Sequence, residues 1–172
     1  GKELIIALSS IFGPTGCEDR VSCAIKPIVE KYCDKTVLDR MGNLIGKISL
    51  GDSNDRKKIM LSAHLDEVGF MIHSIKPNGT LRFITLGSWS KNALTSAKVL
   101  VKNAKGEYIP GIIASKPPHF MSAAERNNPT LEISNMVIDI GARSDKEAIE
   151  DFHIRIGEPV VPATTFSYDQ KH

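Results

Sequence analysis

After residue 68 the chain is cut into short apolar stretches by recurring turn signals, and nothing else in it limits the fold so strongly. "GFMIHSI" at 69–75, "LRFITL" at 81–86, "KVLVKN" at 98–103, "YIPGIIA" at 108–114 and "MVIDIGA" at 136–142 follow in order, with Pro77-Asn78-Gly79 and Lys105-Gly106 between them. Runs of this length, rich in β-branched residues and bounded by Gly, Pro and Asn, read as strands. Repeated at this spacing they predict a small all-β barrel or sandwich. One short helix interrupts the series: Ser144 followed by Glu147 makes a capping box for "DKEAIEDF". "IRIGEPVV" at 154–161 reads as a further strand.

The residues before 68 have another period. "KELIIALSSIF" at 2–12 is helical and stops at the breaker pair Gly13-Pro14. Residues 18–33 read as a second amphipathic helix, with Val21, Ile25, Ile28, Val29 and Tyr32 on one face and Pro27 expected to kink or split it. "TVLDRMGNLIGKISL" reads as a hairpin reversing near Met41-Gly42-Asn43, and "KKIMLSAHLDEVGFMIHSI" as a long β-rich run. Two helices followed by strands are the opening of an α/β layer. The 172 residues allow one domain or two small ones, and 41% hydrophobic with 24% charged residues is ordinary for a globular protein.

Charge and cysteine usage narrow the function classes. A net charge of +2 without a dense Lys/Arg block argues against nucleic acid or an anionic membrane as partner. No apolar run reaches ~18 residues, so no membrane-spanning helix is expected. Cys17, Cys23 and Cys33 are odd in number and contain no C-x-x-C, which reads as reduced thiols in the cytoplasm. Glu3 and the lack of a basic leader read as no signal peptide, and Gly1 in place of Met as a processed start or an expression scar.

One stretch carries chemistry. "LSAHLDEVGF" at 61–70 puts His64, Asp66 and Glu67 into an apolar run that reads as a buried strand. On a regular strand Ser62, His64 and Asp66 share one face and Glu67 lies on the other. A charged pair there needs a partner. A divalent metal is one candidate, because neutral imidazole ligates zinc and a neighbouring carboxylate fixes its tautomer. A salt-bridged or capped histidine is the other. A serine-hydrolase triad is not favoured, since no G-x-S-x-G turn exists. Elsewhere His73 reads as structural, Asp139 as a local cap or local pair, His119 as a loop residue or a lining of a substrate passage, and Trp89 as a lid or interface anchor or as barrel core. His153 supports no assignment.

In its wider context "LSAHLDEVGFMI" resembles the first metal-binding strand of the tetrahedral aminopeptidases. This family of dinuclear metallopeptidases includes glutamyl aminopeptidases, and some members bear the names cellulase or endoglucanase. "GPTGCED" at 13–19 resembles the loop after the family's first helix, "DRMGNLIGKI" at 39–48 its Asp-x-x-Gly-Asn-Leu hairpin, "ASKPPHF" at 114–120 a Lys-Pro-Pro-His segment of its inserted domain, and "VIDIGARSDKEA" at 137–148 a strand-to-helix turn near that domain's end. The resemblance covers the first half of the family's length.

It implies an α/β fold, a partial phosphorylase/hydrolase-like catalytic domain with an inserted all-β, PDZ-like barrel. Residues 1–67 would belong to the catalytic domain, 68–160 to a barrel used for dimerisation, and 161–172 to a truncated strand returning toward the catalytic domain. His64 matches a ligand of one of two zinc or cobalt ions, and Asp66 the catalytic-site acid that orients it. Glu67 would support the pair from behind, and His119 would line the substrate channel. The partners implied are a peptide substrate and further copies of the chain, as dimers assembling to a dodecamer. The remaining family ligands lie in an Asp-Asp-Arg segment, a Glu-Glu pair, a further Asp and a last His. None is present here, and Asp169 and His172 match none of them. The full-length protein is therefore expected to be a metal-dependent aminopeptidase and this chain alone to be inactive, with apolar surface and a strand edge open in its first part. Two alternatives stand beside this: a glycoside hydrolase, for which the single Trp and 6% aromatics supply little, and a non-catalytic oligomerisation or peptide-binding module.

Overall fold

The computed structural model describes residues 1–51, 57–115, 122 and 132–168. It divides into two units, one of Gly1–Glu67 with the chain from Phe166, the other of Val68–Thr165.

The second unit is built from the short strands legible after residue 68. They are β3 (Gly69–Ile75), β4 (Leu81–Leu86), β5 (Lys98–Lys102), β6 (Tyr108–Ala114), β7 (Val137–Asp139) and β8 (Pro159–Pro162), numbered after β1 (Lys35–Leu38) and β2 (Leu44–Lys47) of the first unit. They close into a barrel in the order β3-β4-β7-β6-β5-β8. Every neighbouring pair is antiparallel. Closure leaves no free edge among these strands. Alternation along the strands sends Ile72, Leu81, Val101, Ile113, Ile138 and Val160 inward, each 0% exposed. Burial of such a side chain stabilises the fold by about 1.5–3 kcal/mol relative to leaving it in water. Leu94 of the short helix α3 (Lys91–Leu94), Met136, Ala148 and Ile154 join the same core.

Turn chemistry fixes the register. The β3–β4 reversal at Pro77-Asn78-Gly79 needs a left-handed residue, and Gly79 has φ +81°. A Cβ there would also collide with the Ala142 carbonyl. Helix α4 (Asp145–Glu150) is N-capped by Ser144, whose Oγ accepts from Glu147 N–H at 3.1 Å. The return arm of the box lands one residue early: Glu147 Oε2 accepts from Arg143 N–H at 2.7 Å. The last strand begins later than "IRIGEPVV" suggests. Gly157 at φ +90° breaks the extended run, and the strand proper starts only at Pro159, although Gly157 and Glu158 already exchange backbone hydrogen bonds with Ile72.

The first unit holds α1 (Lys2–Ser9), α2 (Asp19–Val29) and the hairpin β1 (Lys35–Leu38) with β2 (Leu44–Lys47). Pro27 does not split α2. It lies in the last turn, two residues before the helix ends, so the bond it cannot donate, to the Cys23 carbonyl, is lost at the helix end and not in its middle. Asp39 makes the hairpin reversal, its carboxylate accepting from the N–H groups of Met41 and Asn43 and from the Asn43 side chain at 2.8–2.9 Å.

The buried strand expected through 57–67 is not formed. Residues 57–66 carry no strand pairing, and the ladder consists of a single parallel bridge between Pro14 and Glu67. Ile59, Met60 and Leu61 are 86%, 87% and 94% exposed. An apolar run becomes a buried strand only where neighbouring strands supply hydrogen bonds and cover, and the described residues of this unit supply neither. Among the described residues, no helix is long and apolar enough to cross a membrane.

Candidate active site

The segment Leu65–Glu67 is drawn against the loop after α1. Glu67 N–H donates to the Gly13 carbonyl at 2.9 Å, and Gly13 N–H donates back to Glu67 Oε1 at 3.1 Å. This clasp sets where the preceding residues point. Asp66 Oδ2 accepts from the Thr15 hydroxyl at 2.6 Å, and Oδ1 lies 3.1 Å from His64 Nδ1. The same ring nitrogen is 3.0 Å from the Asp66 backbone carbonyl.

Both neighbours of His64 Nδ1 are acceptors, so Nδ1 must carry the proton. In the neutral ring Nε2 then holds the free lone pair. The His64 side chain is 85% exposed, so that lone pair is not spent inside a core. This is the tautomer and orientation a metal-ligating histidine takes beside an orienting carboxylate.

Electrostatics follow from the same contacts. The Thr15 hydrogen bond is the main reason the Asp66 carboxyl sits below its ordinary value; burial opposes it, and its own backbone N–H and His64 lend smaller help. Glu67 moves the other way: burial pushes its carboxyl up, against the Gly13 N–H that favours the charge. Beside Asp66 lies a polar cavity of about 310 Å³, lined among others by Glu18, Asp19, Arg40 and Leu65.

The structure thus brings His64 and Asp66 together and sets Glu67 to hold Gly13 rather than the ring. His119, Asp169 and His172 lie outside the described residues. His73 is exposed at the irregularity of β3. Trp89 packs on the barrel core, stacked on Phe70 at 4.6 Å with its Nε1–H donating to the Gly69 carbonyl at 3.1 Å. Asp139 accepts from Gly141 N–H at 2.8 Å, a local cap. Thr15 carried no signal in the sequence beyond its place in a Gly-Pro turn, and no spacing rule joins residues 15 and 66.

Among the described residues, no group of three or more His, Cys, Asp or Glu is placed to hold a metal ion. A catalytic zinc takes about three protein ligands and a water. His64 with Asp66 therefore fits one ligand position and its orienting acid, not a whole site. A larger and mainly apolar groove of about 630 Å³ lies on the barrel at Lys98, Pro110, Ile112 and Asp139.

Comparison with known proteins sets this geometry in a lineage. The family model of the M42 glutamyl aminopeptidases matches residues 42–172. A TET aminopeptidase from a marine sediment Thaumarchaeota archaeon is 40% identical with a TM-score of 0.88, the match covering 99% of this chain and 46% of that one. The TET1 peptidase of Pyrococcus horikoshii, described as assembling into a tetrahedron or a large octahedral shell, is 30% identical with a TM-score of 0.79 over 99% of this chain and 48% of that one. The glutamyl aminopeptidase of Lactococcus lactis is 30% identical over 159 residues, 92% of this chain and 44% of the relative. The chain spans about half the length of the relatives it matches.

Proposed function

This chain belongs to the M42 glutamyl aminopeptidase family, and from that premise we propose that it supplies one metal ligand and the acid that orients it to a metal-dependent aminopeptidase acting on peptide N-termini. One observation carries the reading: two acceptors on His64 Nδ1 leave the Nε2 lone pair outward, on a ring that is open rather than packed.

In that reading His64 Nε2 is the ligand atom. Asp66 holds the ring in plane and raises its basicity, and Glu67 locks the backbone of both to Gly13. A divalent metal, zinc or cobalt, supplies when bound the Lewis acidity that amide hydrolysis needs. No step of the reaction belongs to this chain alone, because its donor set fits a single ligand position. The remaining ligands and the general base would come from the length that the relatives have and this chain does not span. The barrel would be the inserted PDZ-like domain, and residues 1–67 part of the hydrolase-like one. Assembly of copies into a closed shell is supported by the Pyrococcus horikoshii relative. Cys17, Cys23 and Cys33 are not joined in disulfides, which fits a reducing cytoplasm. The peptidase names of the relatives do not favour the glycosidase alternative.

The test is a pair of measurements. In the full-length protein, His64→Ala should abolish cleavage of leucine and glutamate p-nitroanilides and remove one equivalent of bound zinc in calorimetry. The 172-residue chain by itself should show no cleavage above a metal-free blank. Full activity with full metal content in His64→Ala would overturn the reading.

A further inference from the structure

We propose that Thr15 is a positioning residue for His64, acting through Asp66. The inference rests on the reading of His64 as a ligand and deepens it.

A carboxylate held at one oxygen can still turn, because the last torsion of an aspartate is broad. Asp66 is held at both. Oδ1 faces the imidazole at 3.1 Å, and Oδ2 takes the Thr15 hydroxyl at 2.6 Å. The hydroxyl thus fixes the carboxylate plane, and the carboxylate fixes the ring edge. Thr15 is itself held in place. Its two predecessors are joined to Glu67 by the reciprocal Gly13 bonds and the Pro14 bridge, and Cys17 N–H closes the turn onto the Pro14 carbonyl at 2.8 Å. Loop and segment are therefore clasped at 13–14 against 67 and again at 15 against 66.

Burial does not require the contact. Thr15 is exposed, and a hydroxyl with access to water needs no protein partner. A bond as short as 2.6 Å to a carboxylate, kept although solvent could replace it, points to what the carboxylate does next. Removing the direct partner of a metal ligand typically costs about 10–100-fold in metal affinity; Thr15 acts one hydrogen bond further out, through Asp66.

The experiment uses the full-length protein, with zinc alone as probe. Thr15→Val removes the hydroxyl and keeps the branched shape; Thr15→Ser keeps the hydroxyl. Thr15→Val should bind zinc about tenfold more weakly by calorimetry, the lower end of what loss of a ligand's outer-sphere partner costs, and lose kcat at saturating metal with KM unchanged. Thr15→Ser should stay within about twofold of the parent in affinity, the small effect expected when the hydrogen bond is retained. Wild-type zinc affinity in Thr15→Val overturns the proposal. So does equal loss in both variants, since that marks a packing role rather than the hydroxyl's hydrogen bond. His64→Ala separates the two readings. If it too binds zinc as the parent does, the ligand assignment has failed. If it loses zinc while Thr15→Val does not, only the role of Thr15 has failed.

Discussion

Glu67 is an acid whose charge is poorly solvated, and that has a consequence in pH. Burial raises its carboxyl above the ordinary 4.5, so between that value and its folded value the folded chain binds more protons than the unfolded one. Stability then falls as pH rises through that window, and the penalty vanishes below the unfolded value. Glu67→Gln keeps an oxygen for the Gly13 N–H and removes the charge. The difference in urea midpoint between parent and variant should therefore shrink as pH is lowered from about 7 to about 4, where both side chains are neutral. A difference that stays flat with pH would refute the buried-charge account. At this scale, what the sequence made legible was local. His64 and Asp66 meet because they are two residues apart, and alternation along an extended segment puts such residues on one side. Asp139 as a local cap is of the same kind. The Thr15 contact was not legible, because its partner is 51 positions away and only the folded clasp at Gly13 brings them together.

The barrel's β5–β6 hairpin turns on one buried side chain. Asn103 is 2% exposed. Its Oδ1 accepts from the N–H groups of Lys105 and Glu107 at 3.0 and 2.9 Å, and its Nδ2 donates to Glu107 Oε2 and to the Phe152 carbonyl at 2.8 and 3.0 Å. Truncation removes four hydrogen bonds made by a buried side chain at the turn, so Asn103→Ala should cost about 1–3 kcal/mol. Unfolding followed by the fluorescence of Trp89, which stacks on Phe70 in the same unit, reads that loss directly; a change under about 0.5 kcal/mol, the size of an ordinary surface substitution, would refute it. The same hairpin shows what elements disclose in sequence. Its strands and the Lys105-Gly106 turn were visible from composition and punctuation, as were Pro77-Asn78-Gly79 and the Ser144 cap, because each is encoded within a few residues. Where a strand depends on distant partners, the pattern misleads. "IMLSAHL" at 59–65 is as apolar as β3 and forms no ladder, since pairing is a property of two segments and not of one.

For the molecule as a whole, that unpaired run decides behaviour. Ile59, Met60 and Leu61 stand 86–94% exposed on a stretch whose backbone donors and acceptors are not taken up by a sheet. Covering three such side chains is worth about 1.5–3 kcal/mol each, and an unpaired extended backbone adds a template for a second strand. Association costs about 4–15 kcal/mol, so these three side chains offset it only together with strand pairing and the other exposed apolar residues of the unit, Met41, Ile45, Ile48 and Leu50 among them; that sum is what the prediction of self-association tests. The 172-residue chain should elute from gel filtration larger than its mass, with light scattering rising with concentration. Replacing Ile59 and Leu61 together by Lys and Glu should return it to a monomer, because charges on that run oppose both burial and edge pairing. In the full-length protein the same double substitution should act in the opposite sense: if the further half of the sequence covers residues 59–61, charge there destabilises the fold and lowers its Tm instead of improving its solution behaviour. A monomeric parent chain would refute the first expectation, and an unchanged full-length Tm the second, so the two together ask whether this run is an ordinary surface or a strand waiting for its sheet.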